Sequence, residues 1–155
     1  MNLHFRFANE NDSKLYFDWA NDELVRENSF NKEPILHENH VKWFQSKLQS
    51  KDCFFYLFLN DENKPVGQVR IDKGGDEIII GISIDKNFRG QSLGGILLEM
   101  ASDDYLSKHP TATILAYIKK ENTASLNIFM KAGFTNKETV IAHNSESYKL
   151  YKTLK

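Results

Sequence analysis

One stretch of the chain combines residue types suited to holding an anion: Ile82-Ser83-Ile84-Asp85-Lys86-Asn87-Phe88-Arg89-Gly90-Gln91-Ser92-Leu93-Gly94-Gly95. A strand pattern runs into a short loop, and glycines with a small hydroxyl then open an apolar helix. Glycine lets backbone approach a ligand closely, and the first turn of a helix presents unpaired N–H groups with partial positive charge. That combination is a phosphate cradle, and Arg89 adds a formal charge beside it. No Gly-Lys-Ser/Thr follows, so this is not a P-loop, and Ser92 interrupts the three-glycine dinucleotide fingerprint. A strand-to-helix turn with no ligand fits the same residues. A second segment, Asn122-Thr123-Ala124-Ser125-Leu126-Asn127-Ile128-Phe129-Met130-Lys131-Ala132-Gly133-Phe134, also follows a strand pattern after a short loop.

The first half carries large aromatics beside single Arg and His residues. Trp19 to Phe30, with Arg26, precedes Ile35 and His40-Val41-Lys42-Trp43-Phe44. Trp and Arg anchor planar or phosphorylated ligands through stacking and bidentate hydrogen bonds. The same Trp19 and Trp43 are compatible with core or lid packing, and His40 with a structural histidine. His37 and His40 lack a third ligand in sequence, so no metal site is expected.

These residues need elements to position them. Leu3, Phe5 and Phe7 alternate with His4 and Arg6 as in a half-buried strand. Cap-type residues Asn9 to Ser13 precede a helix carrying Leu15, Tyr16 and Trp19. After Pro34, Val41, Phe44 and Leu48 give His37 to Leu48 an apolar helical face. Phe54–Leu59, a polar turn ending at Pro65, and Val66–Ile71 predict a hairpin. Glu77–Ile84 is a further strand, with Ile78, Ile80, Ile82 and Ile84 on one face unless a bulge intervenes. Leu93–Tyr105 reads as a helix, Thr113–Ile118 as a strand, and Thr123–Lys131 as a helix stopped by Gly133. Val140-Ile141 and Tyr148–Leu150 close as a hairpin. The order predicts an α/β fold, one mixed sheet with helices on both faces, in a single domain over residues 1–155.

Composition bounds the partners. The chain has 155 residues, 20 basic and 21 acidic, for a net charge of -1. Duplex binding needs a basic surplus, so no nucleic-acid partner is expected. Cys53 is the only cysteine, which excludes an intramolecular disulfide and a Cys-based zinc cluster. The apolar run from Cys53 to Leu59 is far short of the ~20 residues of a membrane helix, and Met1 to Arg6 lacks a signal-peptide core. The expected compartment is the cytoplasm, with no membrane partner.

Together, the two segments resemble the GNAT superfamily of acetyl-CoA-dependent N-acetyltransferases. Its pyrophosphate motif, Arg/Gln-x-x-Gly-x-Gly/Ala, is matched by Arg89-Gly90-Gln91-Ser92-Leu93-Gly94, with Ser92 in place of the first motif glycine. Its Asn-x-x-Ala/Ser-x-x-x-Tyr-x-x-x-Gly-Phe helix is matched by Asn122, Ser125, Gly133 and Phe134, with Phe129 in place of tyrosine. The resemblance implies a pantetheine arm along Ile82, Ser83 and Ile84 and a pyrophosphate on the amides of Gln91, Ser92, Leu93, Gly94 and Gly95. It also places Arg89, Gly90, Asn122, Ser125 and Phe129 at the cofactor. Ser92 keeps its N–H, so it should weaken the cradle little unless the site requires positive φ.

Direct transfer needs a neutral amine, a polarised thioester carbonyl and a route for protonating the thiolate. The family glutamate falls at Ile79, ten residues before Arg89. Glu77, two residues earlier on the same face, is the nearest carboxylate, with an exposed strand-end role as the alternative. Phe129 has no proton to donate; water, Tyr117 or Ser83 are the substitutes. A lysine amine of pKa ~10.4 is rarely neutral at pH 7, so a site without a strong base better suits an amine of pKa near 8. The first half and Val66-Gly67-Gln68-Val69-Arg70 further resemble the members that acetylate UDP-linked 4-amino-sugars of the pseudaminic acid pathway. Under that resemblance Arg26 or Arg70 meets the diphosphate, Trp43 stacks on a ring and His40 serves as base. The expected partner is thus a small-molecule amine, a nucleotide-linked amino sugar, with a homodimer through the closing strands. The alternatives are a protein α-amine acetyltransferase, sharing the Trp19-x-Asn21-Asp22 helix, an aminoglycoside-modifying enzyme, and a non-catalytic acyl-CoA-binding module.

Overall fold

The structure, a computed structural model, describes residues 2–155 apart from the side chain of Asn136. The strands are β1 (His4–Phe7), β2 (Cys53–Leu59), β3 (Pro65–Gly74), β4 (Glu77–Ile84), β5 (Thr113–Lys119), β6 (Thr135–Ala142) and β7 (Ser145–Thr153). The helices are α1 (Ser13–Ala20), α2 (Glu23–Asn28), α3 (His37–Gln49), α4 (Gly94–Lys108) and α5 (Thr123–Lys131). The strands form one sheet in the order β1-β2-β3-β4-β5-β7-β6. Every neighbouring pair is antiparallel except β4 and β5.

Helices cover both faces, and β2 shows why its sequence is almost unbroken aromatic and aliphatic. Tyr56 and Phe58 point into the main core with Leu97, Leu98, Ala101 and Tyr105 of α4. Phe55 and Leu57 point the other way, against Tyr16, Trp19 and Phe44 of α1 and α3. A strand buried on both faces has no position left for a polar residue.

The isoleucine alternation on β4 persists along its whole length, because its pairing with β3 runs from Gly74↔Glu77 to Gly67↔Ile84 without a register shift. Ile80 is buried and Ile78, Ile82 and Ile84 pack beside it in the main core. Gly67 makes the close approach of β3 possible. A Cβ there would lie 2.7 Å from the Ser83 carbonyl oxygen and 2.9 Å from Leu97 Cδ2.

Two local features differ from the sequence expectation, and the closing hairpin agrees with it. The segment after Asn21 contains a separate six-residue helix, α2, started by the Asp22 carboxylate accepting from the Leu24 and Val25 amides. Leu93 precedes α4 rather than opening it, and the helix begins at Gly94. The β6–β7 turn has His143 and Asn144 at φ of 48° and 65°, the left-handed pair a two-residue hairpin requires.

Candidate active site

The feature that makes a site is a missing ladder. β4 and β5 pair only at Ile78↔Ile114 and Ile79↔Leu115, then splay. From Ile80 onward the β4 edge opens into a cleft of about 560 Å3, bounded by Tyr117, Ile118 and Lys119 of β5 and by the starts of α4 and α5. Backbone N–H and C=O groups along an unpaired strand edge are available to an extended ligand.

The cradle sits at one end of this cleft. Gly90 has φ 77° and Ser92 φ 59°, so two left-handed residues turn the chain into α4. Ser92 therefore occupies a position requiring positive φ, at a strain of about 1–2 kcal/mol for a residue with a Cβ. No side chain caps α4 among the described residues, which leaves its first-turn amides open. Ile82, Ser83, Ile84, Arg89, Gly90, Ser92, Leu93, Gly94, Asn122, Ser125 and Phe129 all line the cleft, while Gln91 and Gly95 are not part of its wall. Asn122 caps α5 by accepting from the Ser125 amide at 3.1 Å, so its Nδ2 is the group left for a ligand. Phe129 is buried against Phe134.

Arg89 is already engaged. Its Nη2 donates to Asp22 Oδ2 at 2.7 Å. Burial opposes ionisation of Asp22, yet the Arg89 hydrogen bond and the α2 amides hold its carboxyl below the usual range. Lys119, itself buried, donates to the Ser29 carbonyl at 2.6 Å and holds the Ser29–Phe30 segment at the cleft.

Across β4 lies a second, smaller cavity of about 190 Å3. It brings together Arg26, His40, Trp43 and Arg70 with Tyr16, Trp19, Phe55 and Gln68, and shares Val25, Gly81, Ile82 and Ser83 with the cleft. Arg70 stacks over the Trp43 ring at 5.1 Å. Gln68 Nε2 donates to Ser83 Oγ at 3.0 Å. Burial, and secondarily His37, pushes the His40 imidazole below its ordinary value, so it is neutral at pH 7. Arg26 uses its terminal nitrogens within its own loop, on Asn31, Glu33 and Ser29.

Glu77 is not brought to either cavity. Its Oε2 accepts from Tyr117 OH at 2.6 Å and lies 3.6 Å from Lys149 Nζ. At ~3.3 Å per residue the strand places it roughly 20 Å from Ser83. Tyr117 lines the cleft with its proton committed to Glu77, and burial with that hydrogen bond pushes its phenol up. Sequence reasoning named Arg26 but missed Tyr16, Gln68, Lys119 and the cleft wall formed by Leu24, Val25, Asn28, Ser29 and Phe30 as site residues. Gln68 and Asp22 stood in quoted motifs without a role, whereas Lys119 had no local signal.

An anion cradle at a strand-to-helix turn, below a splayed parallel pair, offers open amides and a free strand edge to one extended, phosphate-bearing ligand. A family model described as an acetyltransferase (GNAT) domain matches residues 2–135, and the chain belongs to that family. The mycothiol acetyltransferase of Mycolicibacterium vanbaalenii is 27% identical over 120 residues, covering 72% of this chain. The match spans 38% of that relative's length. The fold is similar to spermidine N-acetyltransferase from Vibrio cholerae, solved with CoA and spermine, at TM-score 0.85 and 13% identity over 97% of this chain and 94% of that one. It is also similar to an aminoglycoside acetyltransferase solved with coenzyme A and kanamycin, at TM-score 0.81 and 17% identity over 98% and 95%. A domain from Methanocaldococcus jannaschii superposes at TM-score 0.80 with 22% identity over 97% and 99%. Among the described residues no group of three or more His, Cys, Asp or Glu is arranged for a metal, and no helix is long and apolar enough to cross a membrane.

Proposed function

We propose that acetyl-CoA occupies the larger cleft and that the acceptor amine enters the smaller cavity, so that they meet across Gly81–Ser83. The pyrophosphate would rest on the amides from Gln91 to Gly95 and the pantetheine arm along Ile82 to Ile84. One observation carries the acceptor assignment. Among the described residues the buried side-chain polar atoms without a partner are Tyr16 OH, Arg26 Nε, His40 Nδ1 and Gln68 Oε1, and all four residues line that one cavity. Each such atom costs about 1–3 kcal/mol when left unpaired, which a polar ligand offsets.

The acceptor we propose is an amine on an oxygen-rich ring, in nucleotide-linked form. Among the described residues no carboxylate lines either cavity, whereas Arg26 and Arg70 line the smaller one. That charge suits an acceptor carrying negative groups and opposes a polycation. At 190 Å3 the cavity is little larger than the roughly 150 Å3 space that holds benzene, so it takes one six-membered ring. The nucleotide would then lie outward, toward Arg70 and Trp43. Neutral His40, with Nδ1 unpartnered, takes the amine proton as nitrogen attacks the thioester carbonyl. The departing group is a thiolate, a much weaker base than an alkoxide, and leaves without a strong acid. Phe129 is compatible with that route, and Glu77 has no place in it. A second copy would pair along the β6 edge, which sedimentation would show.

Thermal unfolding with acetyl-CoA, in the parent and in Gly94→Arg, tests the cofactor half. Ligand at 100 times its dissociation constant stabilises by about 2.7 kcal/mol, a shift that a folded Gly94→Arg variant should lose. CoA release across a panel tests the acceptor half: a UDP-linked amino sugar, a polyamine, an aminoglycoside and a peptide α-amine. Turnover of the polyamine or aminoglycoside, with none of the nucleotide sugar, overturns the acceptor assignment. Binding with no release from any amine points to a non-catalytic module.

A further inference from the structure

The Trp19-x-Asn21-Asp22 motif enters that scheme only through the Trp19 ring on the cavity wall, yet each of its polar side chains bonds to a distant segment. Trp19 Nε1 donates to Asp85 Oδ2 at 2.8 Å, and Arg89 Nη2 donates to Asp22 Oδ2 at 2.7 Å. Asp85 and Arg89 bracket the single turn Lys86–Phe88 that leads from β4 into the cradle, and Asp85 caps it through the Asn87 amide at 2.9 Å. Asn21 clamps Ile35 on both sides, accepting from its amide at 2.7 Å and donating to its carbonyl at 2.8 Å. Ile35 stands two residues before α3, which carries His40 and Trp43.

We propose that Trp19 and Asp22 are positioning residues that couple the cofactor cradle to the acceptor cavity. The two hydrogen bonds form a clamp between the 85–89 loop and the α1–α2 corner. That corner supplies Trp19, Ala20, Val25 and Arg26 to the acceptor cavity, and Asn21 extends its hold to the start of α3. Arg89 uses only Nη2 on Asp22, so Nε and Nη1 remain for a phosphate oxygen, and the guanidinium can hold both at once. Occupancy of the cradle then stiffens the corner and, through Ile35, the helix bearing His40. The acceptor site is completed by the cofactor rather than standing ready without it. This inference rests on the placement of acetyl-CoA proposed above.

Hydrogen–deuterium exchange with coenzyme A as probe separates the two ideas. Asp22→Asn keeps a helix cap and Trp19→Phe keeps the ring packing, so the double variant removes the clamp without emptying the core. In the parent, coenzyme A slows exchange of amides 93–98 by contact and of amides 35–41, which lie outside the cleft, by coupling. We expect the second effect to be about fivefold or more, the lower end of ordinary allosteric coupling. In the double variant, protection of 93–98 stays and that of 35–41 disappears. Equal protection of 35–41 in both proteins, or none in the parent, overturns the clamp while leaving the cofactor site intact. No protection at 93–98 in the parent removes the cofactor placement and the clamp with it.

Discussion

Ser92→Gly isolates the strain in the cradle. Ser92 sits at φ 59°, its side chain is exposed, and its hydroxyl has no partner among the described residues. Removing the side chain therefore opens no cavity and breaks no hydrogen bond, and the backbone conformation dominates the difference. A Cβ in the left-handed region costs about 1–2 kcal/mol. Glycine loses about 0.5–1 kcal/mol through its larger unfolded-state freedom. The net expectation is stabilisation centred on ~0.75 kcal/mol and reaching about 1.5 kcal/mol, or up to roughly 6 °C in Tm for a chain of this size. Ser92→Ala keeps the strain and should match the parent within about 0.5 kcal/mol. Urea unfolding of the three proteins reads the difference directly. Acetyl-CoA affinity should change little, since the amide at 92 survives. A glycine variant no more stable than the alanine variant would refute the strain argument.

Other outcomes follow from single contacts. Gly67→Ala forces a Cβ onto the Ser83 carbonyl and should lower stability by about 1–3 kcal/mol, measured as a shift in urea midpoint. Lys152 donates to Ser102 Oγ, Asp103 Oδ1 and the Ala132 carbonyl while 6% exposed, so Lys152→Ala should cost about 2–3 kcal/mol by the same assay. His40 has a folded pKa below its ordinary 6.5, so its contribution to stability is present above that pH and is lost as pH falls through the folded value. Unfolding midpoints should therefore drop below pH 6.5, and His40→Gln should flatten that part of the curve. In kcat/KM the acceptor amine contributes an acid limb near its own pKa, and a further limb below pH 6.5 that His40→Gln abolishes marks His40 as the base; its persistence in the variant removes that role.

The strands and long helices were readable because their patterns are local. Thr123–Lys131 has a cap at Asn122 and a stop at Gly133, and its bounds match. The β4 alternation needed only the absence of a bulge. What stayed hidden depends on residues far apart. α2 has six residues and no buried side chain, too short for an apolar period to register. The Arg89–Asp22 pair joins positions 67 apart, so an arginine read as open for phosphate is half committed. Arg26 was a reasonable anion partner by type, but its loop absorbs its terminal nitrogens. The splay of β4 from β5 is a pairing that fails to occur, which no propensity encodes. Glu77 shows the limit of face arguments: it shares the face of Gly81 and Ser83 but lies at the far end of the strand.

The double-sided burial of β2 has a consequence during folding. Cys-Phe-Phe-Tyr-Leu-Phe-Leu, from Cys53 to Leu59, carries no charge, no proline and no glycine, the composition of a segment that readily stacks with copies of itself. In the finished protein it is hidden on four sides, by α4, by α1 and α3, by β3, and on its outer edge by the four residues of β1. The thinnest of those shields is the N-terminal strand. Loss of β1 would leave the most self-adhesive stretch of the chain with a bare edge, so aggregation rather than lost catalysis is the expected fate of an N-terminally trimmed protein.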